Sequence, residues 1–231
     1  MMSLNNEIID LIEKDGRAIV GFADLRSLSH DARKGYDYGI IIALSFSKEA
    51  ILENLNGYPQ RYYDEHEPMD RRFKELKIIV TDYLISKGYD STGNTPASVI
   101  DDDSLRSLLQ QKTVATLAGI GWIGKTALLV TNEAGSAVRL TVILANAPVV
   151  CGTPVKESKC DPNCMVCTDI CPAKAPKGRL WEAGVDRDVF FNAYACHTFG
   201  RTRARELLNV EQTVCGLCIS SCPFTKKALG Y

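Results

Sequence analysis

The chain has 231 residues, enough to bury a sizeable core in one or two domains. Its formal net charge of -1 excludes a global bias toward nucleic acid or an anionic membrane surface, and no apolar run approaches bilayer-spanning length. The opening MMSLNNEIIDLIEKDGR has no apolar signal core, so an intracellular, cytoplasmic protein is expected.

Residues 4–14 carry Ile8, Ile9, Leu11 and Ile12 at helical spacing. Residues 18–22 and 40–44 are short apolar runs that read as buried strands. Residues 68–87 give the clearest helix, with Phe73, Leu76, Val80 and Tyr83 recurring on one face and Gly88 placed as its stop. A further helix is expected over 104–118, and two strands over 127–131 and 137–145, joined by a turn at 132–135. Helices interleaved with apolar strands predict an α/β layer structure. All nine cysteines lie at or beyond residue 151, and that shift sets the expected boundary: an α/β domain over residues 1–149 and a ferredoxin-like domain over 150–231.

The cysteines carry the strongest chemical signal. The first run is Cys160-x3-Cys164-x2-Cys167-x3-Cys171-Pro172, and the second is Cys215-x2-Cys218-x3-Cys222-Pro223. Such runs closing on Cys-Pro are the bacterial ferredoxin signature, in which the last cysteine of each run ligates the other cluster. Cys160, Cys164 and Cys167 are therefore expected to share one [4Fe-4S] cluster with Cys222. Cys171 joins Cys215 and Cys218 on a second, and Cys196, between the runs, is placed to be its fourth ligand. A disulfide framework fits poorly with an odd count of nine and no signal segment. A zinc site would close on two Cys-x2-Cys pairs and needs no Cys-Pro. One departure is the three-residue gap Asp161, Pro162, Asn163, where ferredoxins have two; a turn at Pro-Asn absorbs the extra residue. Cys151 reads as an ordinary thiol.

Residues 119–126 read GIGWIGKT and satisfy both the P-loop and the dinucleotide patterns. Those patterns cradle phosphate only where a strand enters and a helix leaves. Here a helical SLLQQKTVATLA precedes and a strand-like ALLVT follows, so nucleotide binding is not expected. Close packing through small glycines is one alternative, and a cofactor loop of another kind is the other.

AGIGWIGKTALLV, VRLTVILANAP and the paired Cys-Pro runs, with the early GFADL, together resemble the epoxyqueuosine reductases and, more distantly, the corrinoid reductive dehalogenases. The resemblance implies an N-terminal α/β corrinoid-reductase-like domain and two [4Fe-4S] clusters that feed electrons to a cobalamin lined by Gly119, Gly121, Trp122, Ile123, Gly124 and Lys125. It also implies Cys196 as the isolated fourth ligand of the second cluster. Two departures matter. Epoxyqueuosine reductases continue into a helical-repeat region that grips tRNA, whereas this chain stops at Tyr231, so a short, arm-less relative is expected. The family's proposed acidic proton donor falls in register with Leu105, and the neighbouring Asp101, Asp102 and Asp103 read as a solvated turn, so no catalytic residue is assigned.

The expected function is reduction of a small-molecule substrate by a corrinoid-dependent reductase, supplied by an electron donor such as a ferredoxin or flavodoxin. Two alternatives stand beside it: an electron-transfer protein without its own catalytic site, and a queuosine-pathway epoxide reductase working with a separate RNA-binding partner. Nucleic acid and membrane are not expected partners. Lys125 and Arg139 are candidates for a corrinoid's polar edge, Arg201, Arg203 and Arg205 form a small basic cluster that could dock an acidic electron donor, and His197 adjoins Cys196. His30 and His66 carry no assigned role.

Overall fold

A computed structural model describes residues 3–12, 16, 18–98 and 103–231. The elements run α1 (Leu4–Ile12), β1 (Ala18–Asp24), α2 (His30–Arg33), β2 (Tyr38–Ser45), α3 (Lys48–Leu55), α4 (Gln60–Asp64) and α5 (His66–Ser86). They continue with β3 (Ser91–Thr92), α6 (Gln111–Leu117), β4 (Trp122–Ile123), β5 (Leu129–Val130) and β6 (Val138–Ala145). Helices α7 (Val166–Ile170), α8 (Arg187–Phe190), α9 (Ala193–Leu208), α10 (Leu217–Ser221) and α11 (Pro223–Leu229) complete the chain. The architecture is mixed α/β.

The chain divides into two compact units. The first takes Met1–Ser45, Met69–Ile120 and Arg139–Val155; the second takes Phe46–Pro68, Gly121–Val138 and Lys156–Tyr231. The cysteine runs therefore share their unit with two segments from before residue 150.

The first unit is built on a sheet of order β1-β2-β6-β3. β1 pairs antiparallel with β2, with Val20 opposite Ile42, and β3 pairs antiparallel with β6. β2 lies inside the sheet and Ile40, Ile41, Ile42 and Ala43 are all fully buried. That explains its unbroken apolar run: a strand covered on both faces has no reason to alternate. Helix α1 packs on β1 and buries Ile8 and Ile12. Helix α5 buries Met69, Phe73, Leu76, Val80 and Leu84, one stripe at spacings of three and four. It closes at Gly88, whose amide donates to Ile85, while that of Tyr89 donates to Leu84.

Two expectations fail here. Residues 104–110 are turns and bends, and the helix starts only at Gln111. Leu105 sits at φ 52°, a left-handed conformation that no continuing helix accepts. The strand after the glycine loop pairs with the short strand inside that loop, Trp122 opposite Val130, and not with β6, which is committed to the larger sheet. The turn at 132–135 closes on a Thr131–Gly135 bridge instead of a hairpin between the two expected strands.

In the second unit Ser47 caps α3. Its Oγ accepts from the Ala50 amide at 3.1 Å and donates to the Glu65 carboxylate, while its own amide donates to Glu65 Oε2 at 2.9 Å. One carboxylate thus ties the start of α3 to the corner before α5. Ser47→Ala is expected to cost about 1–2 kcal/mol, because it removes both the cap and the hydroxyl partner of Glu65. Thermal unfolding checks this, and a melting temperature equal to wild type contradicts it.

Candidate metal centre

The second unit holds two cavities walled by thiols. The larger, about 390 Å3, is lined by Cys160, Cys164, Cys167, Cys218 and Cys222. The smaller, about 170 Å3, is lined by Cys171, Cys196, Cys215 and Cys218. Seven of the eight cysteines line one cavity each, grouped as their spacing suggests, and Cys218 lines both. None of the nine cysteines is in a disulfide, and Cys151, in the first unit, lines neither cavity.

The local sequence explains how each run reaches both cavities. Helices α7 and α10 are each five residues long and pack against each other. α7 carries Cys167 to the larger cavity and ends on Cys171, which lines the smaller. α10 carries Cys218 and ends on Cys222, which lines the larger. Both terminal cysteines precede proline and are extended, at φ -75° and ψ 113° for Cys171 and φ -61° and ψ 128° for Cys222. A residue before proline is disfavoured in the helical region. The Cys-Pro pair therefore stops the helix and turns its thiol away from the preceding cysteine.

The extra residue of the first gap is taken up by a turn. The Cys164 amide donates to the Asp161 carbonyl at 3.1 Å, and the Asn163 amide donates to Asp161 Oδ1 at 2.8 Å. Pro162 stands second in that turn, where its fixed φ suits it.

Electrostatics show what such walls suit. Burial, with Cys160, Cys222 and Cys164 beside it, pushes the Cys167 thiol up to about 11. Burial and then the neighbouring Cys196, Cys215 and Cys171 hold the Cys218 thiol well above its ordinary value. Crowded buried thiols resist ionising together, and a bound cationic iron core reverses that balance. Among the described residues no three or more His, Cys, Asp or Glu side chains converge to hold a single metal ion.

The glycine loop has the helix-before, strand-after context expected from its sequence. Gly119, at φ 76°, ends α6: its amide donates to Thr116 and that of Ile120 to Ala115, the paired bonds of a helix stop. A Cβ on Gly121 would lie 2.3 Å from the Val130 carbonyl oxygen, so the β4–β5 pairing requires glycine there. Trp122 is 1% exposed, with its ring edge-on to Phe224 at 4.9 Å. Ile123 is buried, and a Cβ on Gly124 would lie 3.6 Å from Cys160 Sγ. Gly124 and Lys125 wall the larger thiol cavity.

Other candidates find ordinary partners. Arg139 pairs with Asp70 at 2.9 Å, and Arg201 and Arg205 both pair with Glu211. Arg203 is buried, and its charge bears on Cys215. Arg201 and Arg205 share the Glu211 carboxylate and stay exposed. Asp103 is exposed in a turn, whereas Asp101 and Asp102 lie outside the described residues. His197 lines neither cavity. Tyr62 and His66 do line the smaller one, stacked edge to face at 5.0 Å. No spacing in the sequence ties these two residues to cysteines more than a hundred positions on.

No protein-family model matches the chain. Curated relatives named epoxyqueuosine reductase match at 29% to 42% identity. The one from Shewanella oneidensis is 34% identical over 122 residues, covering 52% of this chain and 29% of its own length. The chain spans less than half the length of these curated relatives, 42% in the case of the Lactococcus garvieae protein. Among solved structures, epoxyqueuosine reductase from Streptococcus thermophilus shares the fold with a TM-score of 0.58 at 17% identity, over 97% of this chain and 67% of that one. A reductive dehalogenase whose structure suggests a mechanism for B12-dependent dehalogenation gives a TM-score of 0.60 at 15% identity, over 94% of this chain and 31% of that one.

Gly121→Ala is expected to cost about 3 kcal/mol, since the methyl meets a backbone oxygen that cannot move without breaking the β4–β5 pair. Denaturant unfolding checks this, and a midpoint equal to wild type contradicts it.

Proposed function

We propose that this chain is an iron–sulfur oxidoreductase whose two thiol-walled cavities hold two [4Fe-4S] clusters. One observation carries the reading: Cys160, Cys164, Cys167 and Cys222 line one cavity, Cys171, Cys196 and Cys215 line the other, and Cys218 lines both. When bound, such clusters supply one-electron transfer. The chain supplies thiolate ligands and a fixed separation set by α7 and α10. It also shields the sites from water with Val130 and Phe224 at the larger cavity and Phe191 and Phe199 at the smaller.

The likeness to epoxyqueuosine reductases and to a B12-dependent dehalogenase supports a reductase that holds a corrinoid and acts on a small molecule. That likeness supports the corrinoid part. The two thiol-walled cavities by themselves also fit a second reading, an electron carrier without a catalytic site of its own. In either case a small donor such as a ferredoxin or flavodoxin is the proposed source of electrons, and the cytoplasm the proposed setting.

Anaerobic reconstitution is expected to yield about eight irons and eight acid-labile sulfides per chain, since each cluster takes four thiolates. Cys222→Ser and Cys196→Ser should each damage one cluster, and Cys151→Ser neither. Stoichiometric zinc without sulfide overturns the assignment. Cobalt paramagnetic resonance of cob(II)alamin separates the two readings. A shifted spectrum at saturating protein supports the reductase, and an unchanged one supports the carrier.

A further inference from the structure

Lys125 is 2% exposed, yet lysine is among the residues least often buried without a partner for its charge. Its Nζ donates to the Pro162 carbonyl at 2.8 Å and to the Cys164 carbonyl at 2.9 Å. Both acceptors belong to the turn that absorbs the extra residue between Cys160 and Cys164. A turn of this kind bonds its amides internally and leaves carbonyls pointing outward, and those carbonyls need a donor when water is excluded. Lys125 is that donor.

Two carbonyls satisfy hydrogen bonds but do not neutralise an ammonium. Among the described residues Lys125 makes no ion pair with a carboxylate. The cavity it walls is instead lined by Cys160, Cys164, Cys167 and Cys222, which would carry negative charge as cluster ligands. Lys159 also lines this cavity, but its Nζ lies over the Trp122 ring, 5.5 Å from the centroid. Asp161 lines it as well, with one carboxylate oxygen engaged by the Asn163 amide. The smaller cavity has no lysine among its lining residues.

We propose that Lys125 is a positioning residue for the larger cavity, clamping the lengthened Cys160-to-Cys164 gap and placing a buried positive charge beside the cluster held there. This inference rests on the two-cluster reading. A nearby cation favours the more negative, reduced state of a cluster, so it raises that cluster's potential relative to a neutral side chain. Lys125 thereby gains a task that phosphate binding does not explain.

Lys125→Gln keeps an amide donor, one bond shorter in reach, but removes the charge; Lys125→Met removes both. Each is compared with wild type after anaerobic reconstitution, by iron and sulfide analysis and by a redox titration followed by paramagnetic resonance. Lys125→Gln is expected to retain both clusters and shift one potential to a more negative value, the affected cluster being the one that survives in Cys196→Ser. Lys125→Met is expected to lose about half of the iron, one cluster of two. Both potentials at wild-type values in Lys125→Gln overturn the charge role, and full iron in Lys125→Met overturns the clamp. Wild-type protein without acid-labile sulfide overturns the cluster reading itself, and the inference with it.

Discussion

The second unit depends on one backbone preference: a residue that precedes proline is steered out of the helical region, and at Cys171 and Cys222 the chain follows it. Cys171 and Cys222 each end a five-residue helix in extended geometry, and each lines the cavity opposite to the one its own run begins in. The two helices that pack together thus exchange ligands between two sites. Neither cavity is complete from one run alone, so Cys160, Cys164 and Cys167 have their fourth thiol only when the chain has returned to Cys222.

The packing around that exchange explains why the unit recruits segments far away in sequence. Asn54, fully buried on α3, donates to Ser220 Oγ on α10 at 3.1 Å. The Ser136 amide donates to Thr225 Oγ1 on α11 at 3.0 Å, and Lys125 satisfies the carbonyls of the first cysteine turn. Short helices with small apolar faces gain little from burial alone. The partners of Ser220 and Thr225 come from Phe46–Pro68 and Gly121–Val138.

The parts legible in the sequence were those governed by local rules. Cysteine spacing with Cys-Pro endings separates two sets of four, and a helix before the glycine loop already argues against a phosphate cradle. Apolar runs locate β1, β2 and most of β6 to within two residues at each end. What escaped was set by distant contacts or single backbone conformations. Leu105 breaks an otherwise helical pattern through a left-handed φ that no residue preference announces. β5 finds its partner inside the glycine loop because Gly121 admits the Val130 carbonyl, a close approach visible only in three dimensions. Tyr62 and His66 reach the smaller cavity without any cysteine near them in sequence.

The fold is shared with an epoxyqueuosine reductase and with a B12-dependent dehalogenase. The two thiol-walled cavities have Cys218 on both walls. Four-iron clusters held in both would, once reduced, be paramagnets that couple across that shared wall. The most direct test is paramagnetic resonance of the fully reduced, reconstituted wild-type protein at low temperature. The account predicts a spectrum broadened and split by the coupling, which gives way to a simple single-cluster signal at partial reduction. A fully reduced spectrum identical to the sum of two isolated clusters, or one integrating to a single cluster per chain, would contradict it.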